Sequence, residues 1–187
     1  RIWSVATGEC EQTILGHSET VTSVEFSPEG RQIVSASADN TVRVWNAATG
    51  NCDQTMVGHT DMVFSAGFSP DGLKIVSASN DNTVRVWVAA SGNCEQTMTG
   101  HTSWVISAAF SSDGLKIVSA SLDKTVRVWN AASGNCEQTM TGHTSWVNSA
   151  AFSPDGQKVV SAGAYPDNTV RIWSVATGEC EQTILGH

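Results

Sequence analysis

The sequence predicts an all-β fold in which one short unit recurs along the chain. Three observations predict it. The pair Gly-His occurs at Gly16-His17, Gly58-His59, Gly100-His101, Gly142-His143 and Gly186-His187, at intervals of 42, 42, 42 and 44 residues. Other markers keep the same step: an Asp shortly before a Thr-Val (Asp39, Asp81, Asp123, Asp167), the following Trp (Trp45, Trp87, Trp129, Trp173), and a Cys (Cys10, Cys52, Cys94, Cys136, Cys180). Composition agrees: 40% of residues are apolar and only 15% charged, and the abundant Ser, Thr, Ala and Val favour strands and turns over helices.

Within one copy, turn chemistry divides the chain into four strands. After His17, the run Val21-Thr22-Ser23-Val24-Glu25-Phe26 is β-branched and aromatic enough for a first strand. Ser27-Pro28-Glu29-Gly30 turns the chain, with Pro fixing φ at the second turn position and Gly closing it. A second strand follows from Gln32 to Ser37, ended by the Ala38-Asp39-Asn40 turn. The third runs from Thr41 to Trp45, and Ala48-Thr49-Gly50-Asn51 leads into a fourth from Cys52 to Met56. Along the third strand Val42 and Val44 point one way and Arg43 and Trp45 the other, so the sheet is apolar on both faces. Such a sheet must be sandwiched, and stacking the neighbouring copies against it achieves this. Radial stacking of four-stranded blades is a β-propeller. The expectation is four full blades at 18–59, 60–101, 102–143 and 144–187, preceded by a half blade at 1–17.

The order Gly-His, a Ser-Pro-Asp-Gly turn, Ser-Ala-Ser-x-Asp and Thr-Val-Arg-Val-Trp resembles the WD-repeat (WD40-type) β-propellers over essentially the whole chain. The naming dipeptide departs: Trp is followed by Ser4, Asn46, Val88, Asn130 and Ser174, never by Asp. Near-identical repeats that differ mainly at a few loop positions also resemble the arrays attached to NACHT or similar nucleotide-binding signalling ATPases, where the propeller is the recognition end.

Each copy holds His, Ser, Asp and Trp in a fixed pattern that imitates a hydrolase triad. The resemblance implies instead a buried hydrogen-bonded tetrad, with Asp accepting from His and the Trp indole reaching the Ser. The expected sets are His17, Ser37, Asp39, Trp45; His59, Ser79, Asp81, Trp87; and His101, Ser121, Asp123, Trp129. Catalysis needs an accessible nucleophile and an oxyanion site, and the pattern supplies neither. The fourth copy carries two extra residues in Ser161-Ala162-Gly163-Ala164-Tyr165-Pro166-Asp167, and Gly163 stands where Ser is expected. Its set is then His143, Asp167 and Trp173, short of one partner, and a tolerated loop insertion is the favoured account.

Five Cys and five His invite a metal reading, but the Cys residues fall one per copy and no Cys-x-x-Cys pair exists. They are expected to be small buried packing residues, unpaired, and to suit a reducing compartment such as the cytoplasm. No nucleotide-binding motif is present, and no metal or cofactor is expected.

Copies agree where packing rules and differ where it does not. The third residue after His reads Thr20, Met62, Trp104, Trp146; two further on stand Thr22, Phe64, Ile106, Asn148. Before the turn Asp the copies read Ala38, Asn80, Leu122, Pro166, with Tyr165 in the extended fourth loop. In WD-repeat proteins these positions surround the mouth of the central channel on one face, so the resemblance implies a partner-binding rim there. Trp and Tyr are favoured anchors of such patches, although Trp104 and Trp146 could equally cover neighbouring blades.

The net charge of −8, from 18 acidic and 10 basic residues, opposes phosphate backbones and anionic lipids, so neither nucleic acid nor membrane is an expected partner. The chain opens at Arg1 without Met, and residues are expected upstream. Residues 1–17 recur letter for letter as 171–187, a higher period of 170 residues. This fits a window on a longer array, or a chain that completes a ring with a second copy. The expected function is a non-catalytic scaffold or sensor that binds protein or peptide; the alternative is a self-assembling structural array.

Overall fold

The computed structural model describes residues 1–185; the last Gly-His pair, Gly186-His187, lies outside the described residues. Among them the strands form four antiparallel four-stranded sheets and one two-stranded ribbon. The ribbon is β1 (Ile2–Trp3) with β2 (Cys10–Gln12). Blade one is β3 (Val21–Phe26), β4 (Gln32–Ser37), β5 (Thr41–Asn46) and β6 (Cys52–Val57). Blade two is β7 (Val63–Phe68), β8 (Lys74–Ser79), β9 (Val84–Val88) and β10 (Cys94–Met98). Blade three is β11 (Val105–Phe110), β12 (Lys116–Ser121), β13 (Val126–Asn130) and β14 (Cys136–Met140). Blade four is β15 (Val147–Phe152), β16 (Lys158–Gly163), β17 (Val170–Ser174) and β18 (Cys180–Ile184). In each blade the strands pair in chain order, as hairpin links demand.

The first strands of successive blades pack on one another, β3 on β7, β7 on β11 and β11 on β15, so they line the inner side of the array. Each core lies between two blades rather than within one. Val34, Val42, Val44 and Met56 of blade one meet Val63, Phe68, Ile75 and Trp87 of blade two, and the same contact recurs at the next two junctions. Fully burying one such side chain is worth about 1.5–3 kcal/mol, so the stacking of blades is the main source of stability.

Two irregularities recur in every blade. Val21 pairs with Ser37 but Ser23 with Ala36, which leaves Thr22 as a bulge; Phe64, Ile106 and Asn148 occupy the same place. A bulge bends the strand end and re-aims its extra side chain. A second register shift, between Trp45 and Val44 in blade one, sets off Asp53 on the fourth strand. Its counterparts Glu95, Glu137 and Glu181 each pair with the Lys that opens the second strand (Lys74, Lys116, Lys158).

The hairpin between second and third strands needs one residue at positive φ: Asn40 (67°), Asn82 (67°), Lys124 (71°) and Asn168 (50°). Asn adopts this left-handed conformation at lower cost than Lys, whose side chain gives it no local hydrogen bond. Lys124→Asn should therefore raise stability by about 0.5–1 kcal/mol, read as a higher denaturant midpoint with unchanged slope.

Candidate functional site

The His-Ser-Asp-Trp constellation forms in every described blade, with a different Ser from the one expected. In blade one, Asp39 in the β4–β5 turn lies 2.8 Å from His17 Nδ1, and His17 Nε2 lies 2.7 Å from Ser35 Oγ. Ser35 Oγ in turn accepts the Trp45 indole N–H at 2.8 Å. With one Ser lone pair taken by the indole, the hydroxyl donates to His Nε2, and the network assigns the ring proton to Nδ1, facing the carboxylate. Ser77, Ser119 and Ser161 do the same in the later blades.

Ser37, Ser79 and Ser121 are thus not tetrad members. They lie two residues further along the second strand, where the hydroxyl accepts the backbone N–H of the turn Asp and reaches back to a carbonyl of the loop after His. Both serines of Ser-Ala-Ser share one face of the strand because side chains alternate with period two. Trp45 sits opposite Ile33, and its indole therefore reaches Ser35 and stops short of Ser37.

The fourth blade corrects the expectation further, because its tetrad is complete. His143 Nε2 and Trp173 Nε1 meet Ser161 Oγ at 2.7 and 2.8 Å, and His143 Nδ1 lies 3.0 Å from Asp167. Gly163 occupies the place of Ser37, not of Ser35. The longer loop swings Asp167 toward β16, and a Cβ on Gly163 would run into its carboxylate and come 2.7 Å from His143 Nδ1.

The turn carboxylates are buried and ionised. Burial alone raises the pKa of Asp39, Asp81, Asp123 and Asp167. Hydrogen bonds from the His ring, the Thr two residues on and the backbone N–H after His outweigh it, and hold each carboxyl far below its ordinary value of 3.8. Above the tetrad an Arg guanidinium lies over the Trp ring, Arg43 on Trp45 at 5.8 Å and its counterparts likewise. This crowding explains Gly in the Gly-His pair. A Cβ on Gly142 (φ +150°) would come 2.6 Å from Arg171 Nη1. Chemically the Ser is buried with its oxygen engaged by an indole, the reverse of an accessible nucleophile.

The Cys residues are exposed and not buried as expected. The fourth strand is the outer edge of each blade; in blades one to three only its Met is buried and its central Gln half-buried, and in blade four the whole strand is exposed. Cys52 Sγ lies 3.3 Å from the Gln54 carbonyl of its own strand. Among the described residues no group of three or more His, Cys, Asp or Glu is placed to hold a metal ion, and no helix is long and apolar enough to cross a membrane.

The candidate rim residues come together in pairs at one end of each blade. The residue that follows the second strand donates its N–H to the carbonyl of the third residue after His: Ala38 to Thr20, Asn80 to Met62, Leu122 to Trp104, and in the longer fourth loop Ala164, three residues before Asp167, to Trp146. The bulged residues Thr22, Phe64, Ile106 and Asn148 stand beside them. Thr22 Oγ1 bridges to the Val63 carbonyl of the next blade at 2.6 Å. Phe64 stacks on Trp104 across the second junction, with ring centroids 5.9 Å apart and planes tilted by 31°. That stacking is partial: Trp104 remains 46% exposed, Trp146 54% and Tyr165 83%. Like positions in successive copies give no sign of the Phe64–Trp104 contact, which forms between unlike positions across a junction.

Four-stranded blades stacked about inner strands and locked by buried tetrads define a propeller-type repeat scaffold. The family model for the WD domain, G-beta repeat, matches residues 8–46, 50–88, 92–130 and 134–174, most of the chain. The chain belongs to the WD-repeat family. It is also similar to the Notchless protein homolog of Arabidopsis thaliana, 59% identical over 34 residues, which cover 18% of this chain and 7% of that protein. The chain therefore matches only a small part of that relative's length. WD repeats generally mediate protein–protein interactions as non-catalytic scaffolds.

Ser161→Ala should destabilise by about 2 kcal/mol, because it strands a buried indole N–H and a buried ring nitrogen. Gly163→Ser should destabilise as well, by about 1–3 kcal/mol, although it matches the other copies; urea midpoints of both variants check this. The depressed carboxyls also fix a pH dependence. Below pH 3.8 the unfolded chain takes up protons before the folded one, so their contribution is full above that value and is lost as pH falls through the lower folded values. Urea midpoints should stay nearly level between about pH 7 and 5 and drop steeply below about pH 4, with a shallower drop in Asp81→Asn.

Proposed function

We propose that this chain is a recognition scaffold that takes a protein or peptide segment on the rim built by Thr20, Thr22, Met62, Phe64, Trp104, Ile106, Leu122, Trp146, Asn148 and Tyr165. The observation that carries the reading is the exposure of Trp104, Trp146 and Tyr165 on one end of the blades, where the first copy has only Thr20 and Thr22. Aromatic side chains that hold much of their surface in water, on backbone fixed by paired hydrogen bonds, are preorganised anchors. The net charge of −8, with Asp61 beside Met62, favours a segment that is apolar at its anchor and basic around it.

Repeats that are nearly identical except at the rim support a sensor role within a larger signalling protein. Five free, exposed thiols fit a reducing compartment, so the cytoplasm is the proposed location. A second reading, self-assembly with another copy, is favoured by a separate observation: Val21, Val24 and Phe26 of the first blade are 48, 67 and 52% exposed. Light scattering over a concentration series tests it.

For the rim, binders selected from a random peptide display library serve as the probe. Trp104→Ala with Trp146→Ala should weaken them about tenfold or more and cost no more than about 1–1.5 kcal/mol of stability, the value of one aromatic contact. Binding that survives the double substitution, or collapse of the fold, would place the anchors elsewhere.

A further inference from the structure

Beside its aromatic anchors the rim carries charges of both signs that no ion pair neutralises. In the loop that enters the first strand, the residue before the rim position reads Glu19, Asp61, Ser103 and Ser145 in successive copies. Glu19 and Asp61 are exposed, and neither forms an ion pair among the described residues. Blade three supplies the opposite sign. Lys124 is exposed in the β12–β13 turn, two residues beyond Leu122. Lys74, Lys116 and Lys158 each pair with a Glu, whereas Lys124 has no such partner among the described residues. An apolar strip joins the two signs. Asp61 adjoins Met62, Phe64 of the same blade stacks on Trp104, the Trp104 carbonyl takes the Leu122 N–H, and Leu122 shares its turn with Lys124.

Both charges are placed at a cost to the fold. The Asp61 carboxylate is braced by the Met62 N–H at 2.7 Å and by Asn80 Nδ2 at 2.7 Å. In giving its amide to Asp61, Asn80 leaves its own Oδ1 buried without a donor among the described residues, and an unsatisfied buried acceptor is destabilising. Ala38 and Leu122 fill that place in blades one and three and strand no such atom. Lys124 holds φ at 71° where Asn40, Asn82 and Asn168 adopt the same turn more cheaply. Neither departure gains an ion pair within the chain. Each sets an uncompensated charge beside the same apolar strip, and local sacrifices of this kind concentrate where a surface is preorganised for a ligand.

Taking the rim as the binding surface, we propose that it selects a partner segment of mixed charge. A basic residue of the segment meets Asp61 of blade two, an apolar or aromatic residue rests on Phe64, Trp104 and Leu122, and an acidic residue meets Lys124 of blade three. This rests on the rim reading and confines the basic character of the segment to the blade-two side. A segment basic on both sides of its anchor would meet Lys124, and one acidic on both sides would meet Asp61. The two charges therefore reject wrong partners as well as attract the right one.

The probe is the set of peptides selected on the unaltered chain from the random display library. Their sequences should carry a basic residue on one side of the apolar anchor and an acidic residue on the other. By fluorescence anisotropy, Asp61→Asn and Lys124→Asn should each weaken binding about threefold to fivefold, the range of an exposed ion pair. Lys124→Asn should do so while raising the denaturant midpoint, which a purely structural role for Lys124 would not produce. Changing the peptide's basic residue to Ala should cancel the effect of Asp61→Asn and keep that of Lys124→Asn; changing its acidic residue should do the reverse. Peptides that need Trp104 and Trp146 but carry charge of one sign, or that bind the Asp61→Asn or Lys124→Asn chain unchanged, overturn the mixed-charge preference and leave the rim standing. Peptides indifferent to the double Trp substitution overturn both.

Discussion

One buried carboxylate per blade is the constraint on which the rest of the array depends. The turn Asp ties together the hairpin of strands two and three, the loop that enters strand one, and the His ring. From the His the chain of hydrogen bonds runs through Ser to the Trp indole, and that Trp lies in the apolar contact with the preceding blade. A charge at this depth is tolerable only because every lone pair facing the protein finds a donor, and hydrogen bonds to an ionised group are the stronger kind. The link between local turn geometry and blade stacking is therefore electrostatic at one end and hydrophobic at the other.

The same lock frees the rim to vary. Its backbone is held by the N–H to carbonyl pairing on one side and the first-strand bulge on the other, so the exposed side chain can change from Thr20 to Trp146 without disturbing either. The fourth blade shows how far this tolerance goes. Two extra residues displace Asp167, which still reaches His143, and the loss of Cβ at Gly163 opens the space it needs.

Because the described blades pack chiefly on their neighbours, stability accumulates along one dimension, and a face with no blade stacked on it stays open. Blade one shows this most plainly in Val24, a residue whose counterparts are small and covered. Glu25 marks the same strand as distinct. Its carboxylate takes the Phe68 N–H across the junction, close to where a Cβ would stand on Gly67, a position filled by Ala in the later copies.

The sequence by itself determined the all-β class, the four strands of each copy to within about one residue, and the stacking of copies. These follow from local rules: turn residues at fixed offsets and period-two alternation. It also located the His, Asp and Trp that the lock uses. It could not choose between Ser35 and Ser37, which point to the same side of one strand; the register of β5 against β4 made that choice. Nor could it show that Cys52 faces solvent, since whether an edge strand is covered depends on the neighbouring blade. Phe64 meeting Trp104, the bulge beneath each rim residue and the need for Gly163 are likewise contacts between distant parts of the chain. Repetition in the letters makes the framework legible, but the closeness of non-repeated side chains is decided only when the blades are stacked.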